Sequence, residues 1–446
     1  MEGDDPIEPQ LDGFSRILPL PYRVALIIVM GIWAWGLNLQ YLSLIRIDVP
    51  SLIRYPARNS PHHPPHYLSC YRVATALSIP LAASLLLFWT VTAGSPTAII
   101  SWSILPNLYL LVLVVGFIVP LPSVSRAGRH RTLATLKRIS IGGIAEAADG
   151  KFGDILLADA LTSYAKVLGD LFVVLCMAFS SSAPSTTALP NRNCGGPFLI
   201  PFIISIPSLI RLRQCLTEYS RVQAANRKAG HSLNGWGGVH LANAAKYSTA
   251  FPVILLSALL RSHDPEQSRI SETALFRLWL TAVFVNSAYS FYWDVTRDWD
   301  LTLFKPRQRS SAEYPWGLRR HRWFHAKEFY YAAVCLDALL RCTWSVKLSP
   351  HLDHFNDLEG GIFVMEALEV VRRWVWIFFR VECEWVRTHR NSPSSSSSAS
   401  LLAAIENAAD DDDSLNGNIL LADMASSSSS VGGSGTSPHH GYGDSD

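Results

Sequence analysis

Residues 98–122 read AIISWSILPNLYLLVLVVGFIVPLP, a stretch without one Asp, Glu, Lys, Arg or His. About 20 such residues wound as a helix match the hydrocarbon thickness of a bilayer. Two more runs, 24–45 and 71–93, are nearly as free of charge. A soluble domain has nowhere to bury three such segments in succession. Composition agrees: the 446-residue chain is 49% hydrophobic and only 17% charged, where soluble domains carry about a quarter charged residues. With 38 Lys+Arg against 36 Asp+Glu, no basic footprint for nucleic acid exists.

Further apolar segments follow at 155–179, 197–215, 241–260, 273–293, 328–347 and 361–380, and these carry Asp, Lys or Arg inside otherwise hydrophobic runs. The expected fold is therefore all-α: a polytopic membrane protein of about nine transmembrane helices, with the last six forming one bundle. The expected organisation is a lumenal N-terminal segment (1–23), N-terminal membrane helices with a basic loop (24–150), a C-terminal membrane domain (151–390) and a tail (391–446). The tail is Ser-, Gly- and Asp-rich, with low-complexity runs at 394–398 and 410–413. Too poor in apolar area to offset its ordering entropy, it reads as disordered.

The N-terminal residues 1–13 are acidic where a cleavable signal would be basic, so the first span is expected to be retained. Alternate loops divide the positive charge unevenly. One set holds Arg46, Arg54, Arg58, the basic run from Arg126 to Lys151, the cluster from Arg211 to Lys228, and that from Arg297 to Lys327. The other set holds only Arg16, Arg23, Arg192, Arg261, Arg269 and Lys347. By the positive-inside rule the N-terminus faces the lumen or exterior and the tail the cytosol. Seven cysteines are scattered without a C-x-x-C pair, and neither a zinc site nor a disulfide framework is read from them. The His62, His63, His66 cluster lies among prolines and reads as a loop rather than a metal site.

Ionisable side chains inside a bilayer cost about 2.5–3.5 kcal/mol each on insertion scales and mark functional sites or internal pairs. In or at the ends of the last six segments stand Asp159, Lys166, Lys246, Asp294, Asp298, Asp337, Arg341, Glu369, Arg372 and Arg373. Asp337 with Arg341, and Glu369 with Arg373, are four apart and can neutralise each other within one helix. Lys246 and Asp159 have no such neighbour, so other helices or a solute must meet their charge. Asp294 and Asp298 share a helix face, as does Asp159 with Thr162 and Ser163. Guanidinium forks and an ammonium among hydroxyl donors suit an oxyanion. Carboxylates beside them can accept the proton that phosphate keeps near neutral pH and sulfate lacks, which would select phosphate.

Five ordered stretches carry a family resemblance: Phe152–Asp170 (FGDILLADALTSYAKVLGD), His240–Thr249 (HLANAAKYST), Tyr289–Trp299 (YSFYWDVTRDW), Leu340–Trp344 (LRCTW) and Leu368–Arg380 (LEVVRRWVWIFFR). They resemble successive motifs of the EXS domain over roughly residues 150–385. That family includes phosphate exporters, one of which doubles as a retrovirus receptor, and a fungal Golgi protein needed to retain lumenal ER proteins. The resemblance implies a helical phosphate channel or transporter. Phosphate-binding positions carry over onto Asp159, Thr162, Arg211, Lys246, Tyr247, Asp294, Asp298, Arg341, Arg372 and Arg373, and a gating position onto Trp344. Arg211 also admits a plainer reading as a cytosolic anchor at a span end.

Exporters of the family carry an N-terminal SPX domain, and only about 20 residues precede the first span here. Regulation in cis by inositol pyrophosphates is not expected, and the chain looks like the short, SPX-less Golgi branch. The implied function is return to the cytosol of phosphate released by lumenal glycosylation, supporting glycosylation and retention of resident proteins. The competing reading is a trafficking adaptor that binds Golgi glycosyltransferases or coat adaptors through its basic loops or the tail island Leu415–Ala425. Expected partners are inorganic phosphate and the lipid bilayer, with a homodimer left open and no nucleic acid, cofactor, metal or catalytic residue. A G-x-G-D motif of intramembrane proteases is absent.

Overall fold

The structure, a computed structural model, describes residues 11–55, 65–119, 126–146, 149–180, 185–230, 235–263, 270–305, 314–343 and 359–390. Two units are distinguished, Met1–Trp385 and Val386–Asp446. Of the second only residues 386–390 are described, as helix. The tail 391–446, its island Leu415–Ala425, His62, His63 and the gating candidate Trp344 lie outside the described residues.

The first unit is all-helical among the described residues. Its longer helices are α1 (Leu20–Leu44), α2 (His66–Thr92), α3 (Ile104–Ile118), α4 (Arg126–Lys137), α5 (Lys151–Ser163), α6 (Ala165–Phe179), α7 (Leu199–Ala229), α8 (Gly238–Ser248), α9 (Ala250–Arg261), α10 (Glu272–Trp293), α11 (Lys327–Arg341) and α12 (Glu359–Arg390). Among the described residues, all nine apolar segments lie largely on helices. By length and composition, Leu20–Leu44, His66–Thr92, Pro96–Ile118 and Leu199–Ala229 suffice to cross a membrane, and the bent pair α5–α6 would make a fifth crossing. This is a polytopic α-helical membrane protein.

Helix α1 packs against α2, α3 and α6, and Tyr22, Ala25 and Ile27 on it have no exposed surface. Interhelical hydrogen bonds reinforce the seam: Trp33 Nε1 donates to Ser78 Oγ at 2.9 Å, and Tyr109 Oη to the Leu77 carbonyl at 2.9 Å. Such bonds hold membrane helices together where lipid removes the hydrophobic drive. The outer face of α3 instead leaves Leu108, Leu111, Val112, Val115 and Ile118 exposed. A continuous apolar surface of that kind needs hydrocarbon, not water, beside it.

Three helices of the C-terminal half are broken where charge accumulates. The segment expected as one span over 155–179 turns by 63° between α5 and α6. Tyr164 occupies the break, and its ring tip presses on Gly31 of α1, where a Cβ would collide with the hydroxyl. The segment 241–260 divides between α8 and α9, with Thr249 Oγ1 2.8 Å from Asn286 Oδ1 of α10. Helix α10 runs into a π-helical turn, Asp294–Asp298, in which Trp299 N donates to the Asp294 carbonyl at 2.9 Å. Broken helices and π turns place backbone dipoles and side chains at sites in membrane transporters.

One expectation fails. Cys176 and Cys194 form a disulfide, 18 residues apart. Without a C-x-x-C pattern nothing in their spacing announced it. The bond arises because the chain after α6 folds back over that helix's end. Disulfides belong to oxidising compartments, and the 180–198 connection is in the loop set that the charge asymmetry assigns to the lumen.

Candidate anion site

The sequence-selected residues converge where the breaks in α5–α6 and α8–α9 meet α7, the π turn, α11 and α12. Asp159 and Thr162 come from the last turns of α5, Arg211 from α7, Lys246 and Tyr247 from the end of α8, Asp294 and Asp298 from the π turn, Arg341 from the end of α11, and Arg372 and Arg373 from mid-α12. All but Thr162, Asp298 and Arg341 are buried.

Asp159 is met from two helices. Arg211 Nε lies 2.7 Å from its Oδ1, and the Tyr247 hydroxyl donates to the same oxygen. Arg211 also donates to Gln214 Oε1 at 2.6 Å and stacks its guanidinium over the Tyr247 ring, 4.8 Å from the centroid. It is no interfacial anchor: α7 continues to Ala229, which leaves Arg211 inside the bundle at 3% exposure.

Asp294 gathers three cations. Arg341 pairs with it, Arg372 Nη1 lies 3.5 Å away and Lys246 Nζ 3.8 Å away. Asp337 bridges the same two arginines, at 3.1 Å from Arg341 and 3.0 Å from Arg372. The local Asp337–Arg341 pair therefore exists, but inside a larger network. The other local pair does not form. Glu369 binds Arg372, at 2.6 Å, and Arg373 turns to α5, donating to Ser163 Oγ at 2.9 Å and Thr162 Oγ1 at 3.1 Å. Its guanidinium covers Trp376, 4.5 Å from the ring centroid.

The fixed positive groups are thus largely matched. Arg211, Lys246, Arg341, Arg372 and Arg373 stand among Asp159, Asp294, Asp298, Asp337 and Glu369, one acid for each cation, and Arg380, 3.8 Å from Asp298, is matched by Glu384 at 3.0 Å. Of the two ways the sequence leaves for meeting these charges, other helices or a solute, the fold supplies the first. Isolated buried charges cost several kcal/mol each, so acids from neighbouring helices hold them.

The matching is uneven at two points. Arg373 makes no carboxylate ion pair within 4 Å among the described residues. Lys246 Nζ sits 3.8 Å from both Asp294 Oδ1 and Asp298 Oδ2, beyond hydrogen-bond reach. Those two oxygens are buried without a hydrogen-bond partner among the described residues. Glu369, though midway along α12, keeps 37% of its side-chain surface open.

Ser163, Gln214, Asp337 and Glu369 complete the network and were not among the residues chosen as ligands. Asp337 and Glu369 carried a signal, their charge inside apolar runs, which their local arginine masked. Ser163 carried one too, sharing a helix face with Asp159. Gln214 had none.

Residues 18–386 match the model of the EXS family, so the match reaches through the first three helices as well as the five motifs. The chain is 32% identical over 382 residues to Protein ERD1 homolog 1 of Schizosaccharomyces pombe, covering 84% of this chain and 92% of that one. It is 28% identical over 397 residues to Protein ERD1 homolog 2 of the same yeast, covering 82% and 96%. Solute carrier family 53 member 1 of Mus pahari is 32% identical over 244 residues, 52% of this chain and 32% of that longer protein. Matched from its first membrane helix to the end of its cation-bearing bundle, the chain belongs to the EXS family.

Proposed function

We propose that the protein carries inorganic phosphate through the bundle, from the Golgi lumen to the cytosol, as the disposal route for phosphate freed by glycosylation. Nine spans, a lumenal N-terminus and a cytosolic tail complete this reading. The orientation is supported by the loop-charge asymmetry and by the Cys176–Cys194 bond on the side the asymmetry assigns to the lumen. Retention of resident ER and Golgi proteins follows as a consequence of phosphate removal.

The observation that carries the reading is the exchangeable charge network. The carboxylates act as place-holders that neutralise these cations while no anion is present. A phosphate entering beside Arg373, whose guanidinium is held, among the described residues, by two hydroxyls and a ring, takes over the acids' role. Arg341 and Arg372 offer it bidentate forks, and Lys246 adds a point charge. Displaced carboxylates at Asp294 and Asp298 then accept the phosphate hydroxyl proton, an acceptor pair that sulfate cannot satisfy. Competition between the displaced carboxylates and the anion for the same cations lets phosphate bind without being trapped.

The adaptor reading rests on free basic residues in the cytosolic loops, and several of these are engaged. Arg213 donates to the carbonyls of Ile139 at 2.7 Å and Ile141 at 3.2 Å, and Arg221 to those of Ile144 at 2.7 Å and Ala145 at 3.1 Å. Arg131 binds the carbonyl of Arg54. Their donors satisfy helix ends rather than a partner.

The test is radiolabelled phosphate flux in proteoliposomes of the purified protein. Native protein moves phosphate and not sulfate, and Lys246→Met and Arg373→Met each lower the rate at least about tenfold, the equivalent of about 1.4 kcal/mol. Equal sulfate competition, or variants that transport at the native rate, would overturn the assignment.

A further inference from the structure

A second cluster of buried charge lies at the opposite end of α12 from the cytosol, outside the phosphate network. Glu359, at the start of α12, receives Arg23 of α1 at 2.5 Å and a two-pronged contact from Arg192. Arg192 stands two residues before the disulfide Cys194, and its guanidinium also reaches Asp170 of α6 at 3.7 Å. Arg23 further donates to Ser15 Oγ at 2.6 Å and to the Leu18 carbonyl at 2.7 Å. The arginines are therefore committed to Glu359 and, weakly, to Asp170.

Glu366 is left over. It is 4% exposed, its Oε1 has no hydrogen-bond partner, and no cation comes within 4 Å of it among the described residues. The charged groups that act on it are Asp170 and Lys166 of α6, Arg192 of the following loop and Arg23 of α1. Two of those cations are already shared with Glu359, and Lys166 is exposed. A carboxyl in such a place is held at least cost with its proton on.

Position gives the proton a consequence. Glu366 lies one helical turn from Glu369 and about two from Arg372 and Arg373, on the same helix. As a carboxylate it would repel an anion entering the network, and as a neutral acid it would not. We infer that Glu366 is a proton-binding site on the lumenal arm of α12, and that proton and phosphate binding reinforce each other through it. By linkage the reinforcement runs both ways: protons tighten phosphate and phosphate draws in protons. The consequence is phosphate movement that speeds up as the lumenal face is acidified.

The inference rests on the phosphate reading, and two measurements keep their failures apart. Infrared difference spectroscopy of the purified protein in nanodiscs reads the protonated carboxyl directly, with no transport required. The native protein and Asp170→Asn show its carbonyl stretch at neutral pH, and Glu366→Gln loses that band. A band that survives Glu366→Gln, or is absent from native protein, overturns the proton site whatever the flux. Phosphate flux is then measured with the lumenal face taken from about pH 9 to about pH 7, native against Glu366→Gln. The substrate's own titration is common to both proteins. The native rate rises about tenfold relative to the variant, and the variant already transports fast at the higher pH. Parallel pH profiles refute the coupling while leaving phosphate transport standing. Absence of phosphate flux in both proteins refutes the transport reading, with the infrared band still deciding the proton.

Discussion

Asp294→Asn is the perturbation on which the place-holder reading turns. The carboxylate is 1% exposed and gathers Arg341, Arg372 at 3.5 Å and Lys246 at 3.8 Å. At 3.8 Å and an effective dielectric near 20, one such attraction is worth about 4 kcal/mol. Desolvation already paid in the native protein offsets part of the gain, and breaking a buried pair from one side costs about 3–5 kcal/mol. The variant is isosteric, so packing is retained and the loss is electrostatic: one net positive charge is left in a dry network. A phosphate should then be worth more to the variant than to the native protein. At about a hundred times its dissociation constant a ligand restores about 2.7 kcal/mol. The assay is thermal unfolding in nanodiscs with increasing phosphate, and with sulfate as the control. The variant is expected to melt well below native protein in phosphate-free buffer and to recover most of the deficit in phosphate, while its flux falls because the anion binds too well to leave. An unchanged midpoint without phosphate, or an equal phosphate shift in both proteins, refutes the reasoning.

Gly31→Ala drives a methyl against the Tyr164 hydroxyl at the α5–α6 break and should cost about 1–3 kcal/mol, with most of the loss recovered when Tyr164→Phe is added. Glu382, with no exposed surface, accepts from Arg319 at 2.7 Å, from Trp323 N at 2.6 Å and from Tyr330. Glu382→Leu leaves Arg319 buried without its counter-charge and should lower detergent-solubilised yield and melting temperature by about 3–5 kcal/mol equivalent. Replacing Cys176 and Cys194 by serine should cost about 3 kcal/mol for a loop of this length. In sealed Golgi vesicles native protein should label at that pair only after reduction and permeabilisation. His240, at the start of α8, is held below its ordinary value chiefly by burial, with Glu218 opposing and Lys151 assisting. Its contribution is present above the unfolded value of about 6.5 and lost as pH falls through it, so His240→Asn should flatten the drop in melting temperature on acidification.

The sequence by itself determined the medium and which charged residues stand inside apolar runs. Uncharged runs such as 98–122 have one solvent in which they are stable, and a charge inside an apolar run is costly enough that its presence alone marks a site. Asp159, Lys246, Asp294, Asp298, Arg341, Arg372 and Arg373 were legible for that reason, without reference to how the helices meet. Which acid would hold which cation was not legible, because hydropathy has no direction. Local spacing paired Glu369 with Arg373, whereas the helix rotation that packs α12 on α5 sends Arg373 to Thr162 and Ser163 and gives Glu369 to Arg372. For Arg211 the plainer reading as an anchor stayed open, because only the length of α7 reveals that it lies mid-helix. The breaks at Tyr164 and between Ser248 and Ala250, the Cys176–Cys194 bond and the unpaired Glu366 were likewise decided by packing. Each depends on contacts between residues far apart in the chain, and those exist only once the helices have chosen their neighbours.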